Sequence, residues 1–226
     1  MKVLTVTKDG NSNICRLSDK ASVSYASELI DLFHPQRSRV ESFIAQRFMH
    51  AHGAQISQFM PHLIALFNAR GNIVAALGLR HAAQESLFLE HYLQRPIEQV
   101  ISSSQLSYGS TVSRKDIVEI GNLASIDRFA SRKLFRVLAE LLINEGYQWA
   151  TFTGCSSLRK IFGLLGIETI TLASASETHL PENLQNWGSY YDDNPCVLAG
   201  HVNSGQSLLD RSNFLNQNGA QYEIAV

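Results

Sequence analysis

The stretch from Asp116 to Gly146, DIVEIGNLASIDRFASRKLFRVLAELLINEG, constrains the fold more than any other part of the chain. It starts as a short apolar run carrying one acid, Ile117-Val118-Glu119-Ile120. A Gly121-Asn122 break follows, then a second run, Leu123-Ala124-Ser125-Ile126. After Asp127 the periodicity changes. Leu134, Leu138, Leu141 and Leu142 form an apolar stripe with Phe135 beside it, and Arg132, Arg136, Glu140 and Asn144 line the opposite face. This predicts a strand over 117–125 and a helix over 128–145 that ends at Gly146 and lies on a sheet. A strand, a turn and a helix N-terminus in that order make a common anion-holding arrangement. Arg128, Arg132, Lys133 and Arg136 crowd the first turns of the helix, where its partial positive charge disfavours bases. A bound anion would offset them; the alternative is a solvated basic face.

The chain of 226 residues has room for one large domain or two small ones. No internal repeat, linker or low-complexity segment divides it, which favours one domain over 1–226 with a core of about 37–202 and a peripheral polar tail over 203–226. With 45% hydrophobic residues and a formal net charge of −1, the composition is that of an ordinary globular protein, and nucleic acid is not an expected partner. No apolar run reaches the roughly 18 residues of a membrane span. The opening MKVLTVTKDGNSN has no apolar signal core, so a cytoplasmic location is expected. Cys15, Cys155 and Cys196 are odd in number and widely spaced, which fits reduced thiols. His50, His52 and His62 lack ligand spacing, and no metal is expected.

Along the chain, Val3 to Val6 reads as a strand and Ser22 to Phe33 as a weak helix interrupted by Pro35. Arg37 to His52 reads as a helix with Val40, Phe43, Ile44, Phe48 and Ala51 on one face and Gly53 closing it. Leu63–Phe67 and Ile73–Leu79, joined by Asn68-Ala69-Arg70-Gly71-Asn72, form the clearest hairpin, apolar on both faces and so covered by helices. Ser86 to Leu93 is a strand or a helical turn. Pro96 opens a short helix to about Ser102, and Ser103 to Arg114 is a loop. Beyond the central unit come a strand at Trp149–Thr153, a helix at about Leu158–Leu165, a strand at Ile167–Leu172 and a last strand at Val197–Val202. Strand–helix–strand units of this kind place neighbouring strands parallel.

Helix, antiparallel hairpin, strand feeding a basic helix, then strand–helix–strand: this order resembles the GNAT acyltransferase fold, an α/β (α+β) architecture with a central mixed sheet flanked by helices. The GNAT pyrophosphate motif, Gln/Arg-x-x-Gly-x-Gly/Ala, falls here on Arg128, Ser131 and Lys133, so only the Arg matches. The second GNAT signature, Phe-Tyr-x-x-x-Gly-Phe, falls on Ile161-Phe162-Gly163-Leu164-Leu165-Gly166-Ile167. Phe162 replaces the Tyr that commonly protonates the leaving thiolate in that family, so any such acid lies elsewhere or is water.

Four blocks carry a closer resemblance: FIAQRFMHAHGAQISQFMPHLIALFNARGNIVAALGLRHA, EIGNLASIDRFASRKLF, WATFTGCSSLRKIFGLLGI and WGSYYDDNPCVLAG. Together they resemble the bacterial thermostable haemolysin family over most of 38–202. That family is similar in fold to GNAT enzymes and to acyl-homoserine-lactone synthases, which take acyl chains from acyl carrier protein. The resemblance implies an N-acyltransferase that moves an acyl group from acyl-CoA or acyl-carrier protein to a small amine, with coenzyme A or phosphopantetheine as thioester carrier. The alternatives are a membrane-active haemolysin and a non-catalytic GNAT-like binding module. Membrane contact and homodimer formation stay open.

On the enzyme reading the attacking amine loses a proton, and Glu119, an acid in an apolar strand, is the candidate base. Its alternative role is to pair with Arg80 and hold the sheet. Backbone N–H groups of Leu123 and Ala124, beside a bulge expected at Gly121, are candidates to receive the thioester oxygen. Arg128, Ser131, Arg132 and Lys133 fall where phosphate would bind. Cys155, Ser156, Tyr190 and Tyr191 are candidates to protonate the departing thiolate; the alternatives are a small buried apolar role for Cys155 and a structural turn for the tyrosines.

Overall fold

The computed structural model describes residues 14–17, 25–155, 158–159 and 168–202. The expected strand at Val3–Val6, the glycine-rich block at 161–167 with Phe162, the side chain of Cys15 and the tail beyond 202 lie outside the described residues, as does most of the helix expected over 158–165.

Eight strands form one sheet: β1 (Ile14–Leu17), β2 (Tyr25–Ile30), β3 (His62–Asn68), β4 (Ile73–His81), β5 (Ile117–Ser125), β6 (Trp149–Gly154), β7 (Thr169–Ser174) and β8 (Cys196–His201). Their spatial order is β1-β2-β3-β4-β5-β6-β8-β7. The β5–β6 ladder is parallel and the other ladders are antiparallel, so the sheet is mixed. Among the described residues the α-helices α1 (Arg37–His52), α2 (Ile97–Ser102) and α3 (Arg128–Asn144) and several 3-10 turns flank it.

Two expectations change. Tyr25–Ile30, expected within a helix, is a strand paired with β1 on one side and β3 on the other. Its local helical preference is weak, and two ladders of long-range pairing override it. The strands on either side of the 158-region helix were expected as parallel neighbours, but β8 lies between β6 and β7 and pairs antiparallel with both. The last strand returns into the sheet instead of adding to its edge.

The central unit forms where its pattern places it. Asp127 caps α3, its carboxylate accepting the Ala130 N–H at 2.8 Å. Gly146 follows the helix at φ +78°, a left-handed value that favours glycine. Ala130, Leu134, Phe135, Leu138 and Leu142 bury the inner face of α3 against Ile64, Leu66, Val118 and Ile120. The opposite sheet face holds α1, whose Val40, Ile44 and Phe48 pack on Leu63, Ala65, Phe67 and Ala76. Phe43 is only partly buried and Ala51 is exposed, so the expected stripe is one residue wider than the real one at each side. A third cluster, built on Leu89, Tyr92, Ile97, Ile101, Ile117 and Trp149, continues the α1 layer toward the other end of the sheet. Among the described residues no helix is long and apolar enough to cross a membrane.

Candidate functional site

The site begins with an irregularity in β5. Gly78 faces Gly121 and Ala76 faces Ala124, so one residue of β4 opposes two of β5, Asn122 and Leu123. This is a β-bulge, centred one residue beyond the Gly121 position expected from sequence. Asn122 takes a positive φ of 51° there. The extra residue reverses the alternation of the strand. Before it, Ile117 and Glu119 face the α1 layer while Val118 and Ile120 face α3; after it, Leu123 faces α3 and Ala124 faces α1.

The opposite edge of β5 opens at the same level. Its parallel ladder with β6 runs from Ile117↔Trp149 to Ile120↔Phe152 and stops. Beyond it β5 follows β4 to Ser125, and β6 follows β8 to Gly154. The two central strands therefore part into a fork. Leu123 and Ala124 lie on the β5 edge of that fork, their side chains buried on opposite faces.

Glu119 stands just before the fork, 2% exposed. Its Oε2 accepts the Phe88 N–H at 2.8 Å and its Oε1 accepts the Leu89 N–H at 2.9 Å. The Arg80 Nη1 lies 3.9 Å from Oε2, while the same guanidinium reaches Glu85 through Nε at 3.5 Å. Burial pushes the carboxyl up, and Arg80 with the two N–H donors recovers only part of that, so it titrates at about 7. The Arg80 contact foreseen in the sequence is present, but the closer partners are two backbone amides with no side-chain signature.

Those amides belong to the 3-10 turn Phe88–Tyr92, which a second charge cluster holds. Glu90 accepts from the Leu87 N–H and the Ile97 N–H, and Arg114 grips both of its oxygens at 2.6 and 3.0 Å. Burial pushes the Glu90 carboxyl up, but the bonds from Arg114 and the two amides outweigh it and leave it below the usual carboxylate range.

A pocket opens over Glu119, walled by the α1 end at Phe48, the segment 55–60, Arg80, the 88–92 turn, Gly121, Asn122, Thr153 and the segment 183–191. Met60 forms its floor over the facing glycines. A Cβ on Gly121 would come within 2.4 Å of the Met60 Cε, and one on Gly78 within 2.5 Å of the Met60 Cβ. The Met60 N–H bonds Asn122 Oδ1 at 2.8 Å, which ties the bulge to the pocket floor.

Of the residues expected from sequence, Glu119, Tyr190 and Tyr191 meet at this pocket. The Tyr190 hydroxyl donates to the Thr153 carbonyl at 3.2 Å, and Tyr191 shares a hydrogen bond of 2.5 Å with Tyr92. Burial raises the hydroxyl pKa of Tyr190 and Tyr92 far above neutrality and that of Tyr191 to about 12, so all three keep their protons; in the Tyr92–Tyr191 bond one hydroxyl donates and the other accepts. Cys155 does not line the pocket; it follows β6 and packs against the α3-side core. Ser156 lies outside the described residues.

The basic helix start is at the far end of β5, beyond the fork. Arg128 stacks over Phe129 at 5.6 Å, and Arg132 and Lys133 are half-buried. Ser131 is placed differently from expectation. Its hydroxyl is buried, bonded to Ser125 Oγ at 2.5 Å and to the Asp127 carbonyl, and its N–H closes the first helical turn. It locks the strand–helix corner because a small hydroxyl fits where strand and helix backbones meet. Glu140, 3.2 Å from Arg136, answers part of the basic charge of the helix start, and the Asp127 carboxylate caps the helix.

Tyr92, Thr153 and the 88–92 amides escaped sequence reasoning. Tyr92 and Tyr191 are 99 residues apart, and no local pattern links them. Thr153 reads as an ordinary strand residue until the fork is seen. On the α3 side a second, apolar crevice lies against the paired part of β5 and β6, on the closed side of the fork, lined by Ile120, Phe135, Leu138, Ala139, Leu142, Ala150 and Phe152 among others. Ile120 borders both spaces. Among the described residues no cluster of three or more His, Cys, Asp or Glu is placed to hold a metal ion.

The fold is the GNAT-like acyltransferase fold. The chain is similar to FeeM, an N-acyl amino acid synthase from uncultured soil microbes, with a TM-score of 0.58 at 13% identity, covering 87% of this chain and 100% of that one. It is similar to the AHL synthase LasI with a TM-score of 0.57 at 10% identity, covering 87% and 100%. It is also similar to BjaI, a CoA-dependent acyl-homoserine lactone synthase, with a TM-score of 0.52 at 12% identity, covering 86% and 94%. No curated protein matches by sequence. The family model described as Thermostable hemolysin matches residues 31–206, and the chain belongs to that family.

Proposed function

We propose that this protein is an N-acyltransferase, acting as one domain, that moves an acyl group from a thioester of coenzyme A or of an acyl-carrier protein to a small amine. The observation that carries this is the meeting of the β5–β6 fork with a buried carboxyl that titrates at about 7. A base with that pKa is part-ionised at neutral pH and accepts a proton from an attacking amine with little driving force lost. The same fold in two synthases of acyl-homoserine lactones and in an N-acyl amino acid synthase supports the class of chemistry.

The carrier arm enters the fork between β5 and β6. Its phosphate lies toward Arg128, Arg132 and Lys133 at the start of α3, where guanidinium groups and the helix end favour an anion. The acyl chain lies in the apolar crevice beneath Ile120, where it meets carbon and almost no polar surface. The amine occupies the pocket over Glu119. Attack of nitrogen on the thioester carbon gives a tetrahedral species; collapse breaks the C–S bond, forms the amide and releases the thiol. The Glu119 carboxylate takes the amine proton, which returns to the sulfur directly or through a tyrosine hydroxyl of the Tyr92–Tyr191 pair.

The test is thiol release from a panel of acyl-CoA and acyl-carrier donors with amine acceptors. The expected result is acceptor-dependent thiol release that falls 10²–10⁴-fold in Glu119→Gln. Absence of thiol release with every donor, together with no thermal shift on adding coenzyme A or acyl carrier, would overturn the proposal.

A further inference from the structure

Thr153 carries a buried side-chain oxygen with no hydrogen-bond partner among the described residues. Buried hydroxyls are almost always satisfied, because an unmade bond leaves the desolvation of the group uncompensated. The position of this one is specific. Phe152 is the last residue of β6 paired with β5, so Thr153 is the first residue on the β6 edge of the fork. It lines the same pocket as Glu119.

The strand geometry fixes the relation between the two. Glu119 is paired with Thr151 across the parallel ladder, so their side chains share a face. Thr151 is fully buried and spends its hydroxyl on the Val118 carbonyl at 3.1 Å. Thr153 lies two residues further, on the same face and roughly 7 Å along the strand. The Thr153 main chain is held as well, its carbonyl accepting from Tyr190 at 3.2 Å. The backbone is anchored, and among the described residues the hydroxyl has no hydrogen-bond partner.

We propose that the Thr153 hydroxyl is a catalytic hydrogen-bond donor, aimed at the carbonyl oxygen of the acyl thioester held in the fork. This rests on the acyl-transfer reading above and names a residue of the same site. As nitrogen attacks the carbonyl carbon, the C=O π pair moves to oxygen. Thr153 donates a hydrogen bond to that oxyanion and transfers no proton. The pair returns as the C–S bond breaks, and the thiol leaves with the proton that Glu119 took from nitrogen. A donor in place before charge develops needs no reorganisation at the moment of reaction.

The test compares Thr153→Val, isosteric without the hydroxyl, and Thr153→Ser, which keeps it. Two readouts are taken. In ligand-free protein Thr153→Val removes an unsatisfied buried group, and Tm is expected to rise by about 2–4 °C. In turnover Thr153→Val is expected to lower kcat roughly 10²-fold with KM changed less than about threefold, and Thr153→Ser to restore kcat to within about fivefold of wild type. A fall in Tm for Thr153→Val would overturn the proposal by showing that the hydroxyl is satisfied within the fold. Unchanged kcat in Thr153→Val would overturn it by showing that the group does not touch the reacting oxygen. If the wild type turns over no thioester, the acyl-transfer reading fails. Then the affinity of Thr153→Val for a 2-oxoalkyl-CoA thioether, which keeps a carbonyl oxygen, decides the contact by itself: no loss overturns the hydrogen bond from Thr153 to that oxygen, and a loss supports it.

Discussion

Arg114 Nη1 lies 2.6 Å from Glu90 Oε1, and this ion pair, behind the turn that walls the pocket, sets the geometry of the group inside it. Arg114 also bonds the carbonyls of Ala82 and Glu85 and the carboxylate of Glu98. Glu90 in turn holds the amides of Leu87 and Ile97. Between them the pair closes both ends of the turn whose Phe88 and Leu89 amides donate to Glu119. Bidentate guanidinium–carboxylate geometry carries more positional information than a single charge contact.

That coupling has a measurable consequence. Glu90→Gln keeps the shape of the side chain and removes the charge that Arg114 grips. The Glu90 charge holds the Glu119 midpoint up and the Phe88 and Leu89 amides hold it down, so loss of the charge alone lowers the midpoint below about 7, while release of the amides with it raises the midpoint. The expected result, if the pair positions the turn, is a midpoint above about 7. The carboxyl infrared band of Glu119, assigned by its loss in Glu119→Gln, follows this directly across pH. A midpoint below that of wild type would show that the turn holds its amides without Glu90.

Glu119 also leaves a signature on folding. Its ordinary value is 4.5 and its folded value is about 7. The folded pKa is raised, so the stability linked to this group is fully present below 4.5. It is lost progressively as pH rises to about 7, and is constant above that. The gap corresponds to about 3 kcal/mol. Urea unfolding of wild type and Glu119→Gln between pH 4 and 8 isolates it, since the other carboxyls are common to both. Wild type is expected to lose about 3 kcal/mol relative to the variant over that window. Parallel curves would mean that Glu119 stays ionised in the folded protein.

The facing glycines make a sharper distinction. A Cβ at Gly121 meets mainly the Met60 Cε at 2.4 Å, the far end of a flexible side chain. A Cβ at Gly78 meets the Met60 Cβ at 2.5 Å and Cγ at 2.6 Å, which cannot swing away because the Met60 backbone is bonded to Asn122 and Arg37. Gly78→Ala is therefore expected to cost about 1–3 kcal/mol and Gly121→Ala less. In a Met60→Ala background the cost of Gly121→Ala should vanish and much of that of Gly78→Ala should remain. Equal costs in both backgrounds would remove Met60 as the cause.

The bounds of β5 and the start of α3 were legible in sequence because both are set locally, by an apolar run and by an Asp cap with a 3.6-residue stripe. The hairpin of β3 and β4 was legible for the same reason, its Asn68–Asn72 turn bracketed by two apolar runs. Tyr25–Ile30 was not, since only its neighbours in the sheet make it a strand. Within the site, Glu119 stood out as an acid in an apolar strand, and a buried carboxyl is conspicuous in any sequence. Its closest partners are backbone amides, which every residue has, so nothing in the letters at Phe88 and Leu89 marks them. Ser131 shows the opposite failure. Its spacing from Arg128 suggested phosphate, but the hydroxyl turns inward to Ser125, six residues earlier on the strand.

The crevice beneath Ile120 yields the last prediction. Ala139 on α3, Ala150 on β6 and Gly200 on β8 are the small residues of its lining, and they leave space between larger neighbours, Phe135, Leu138 and Phe152. If the acyl chain lies there, Ala139→Phe fills the space without touching the pocket over Glu119, which it does not line. Donors with long acyl chains are then expected to lose more than about tenfold in kcat/KM, while an acetyl donor stays within about threefold. That split corresponds to the one-to-few kcal/mol by which an apolar pocket separates chains of different length. Overpacking costs about 1–3 kcal/mol of stability, so Tm is measured first to choose a temperature at which the variant is folded. Equal losses for long and short donors would place the acyl chain elsewhere.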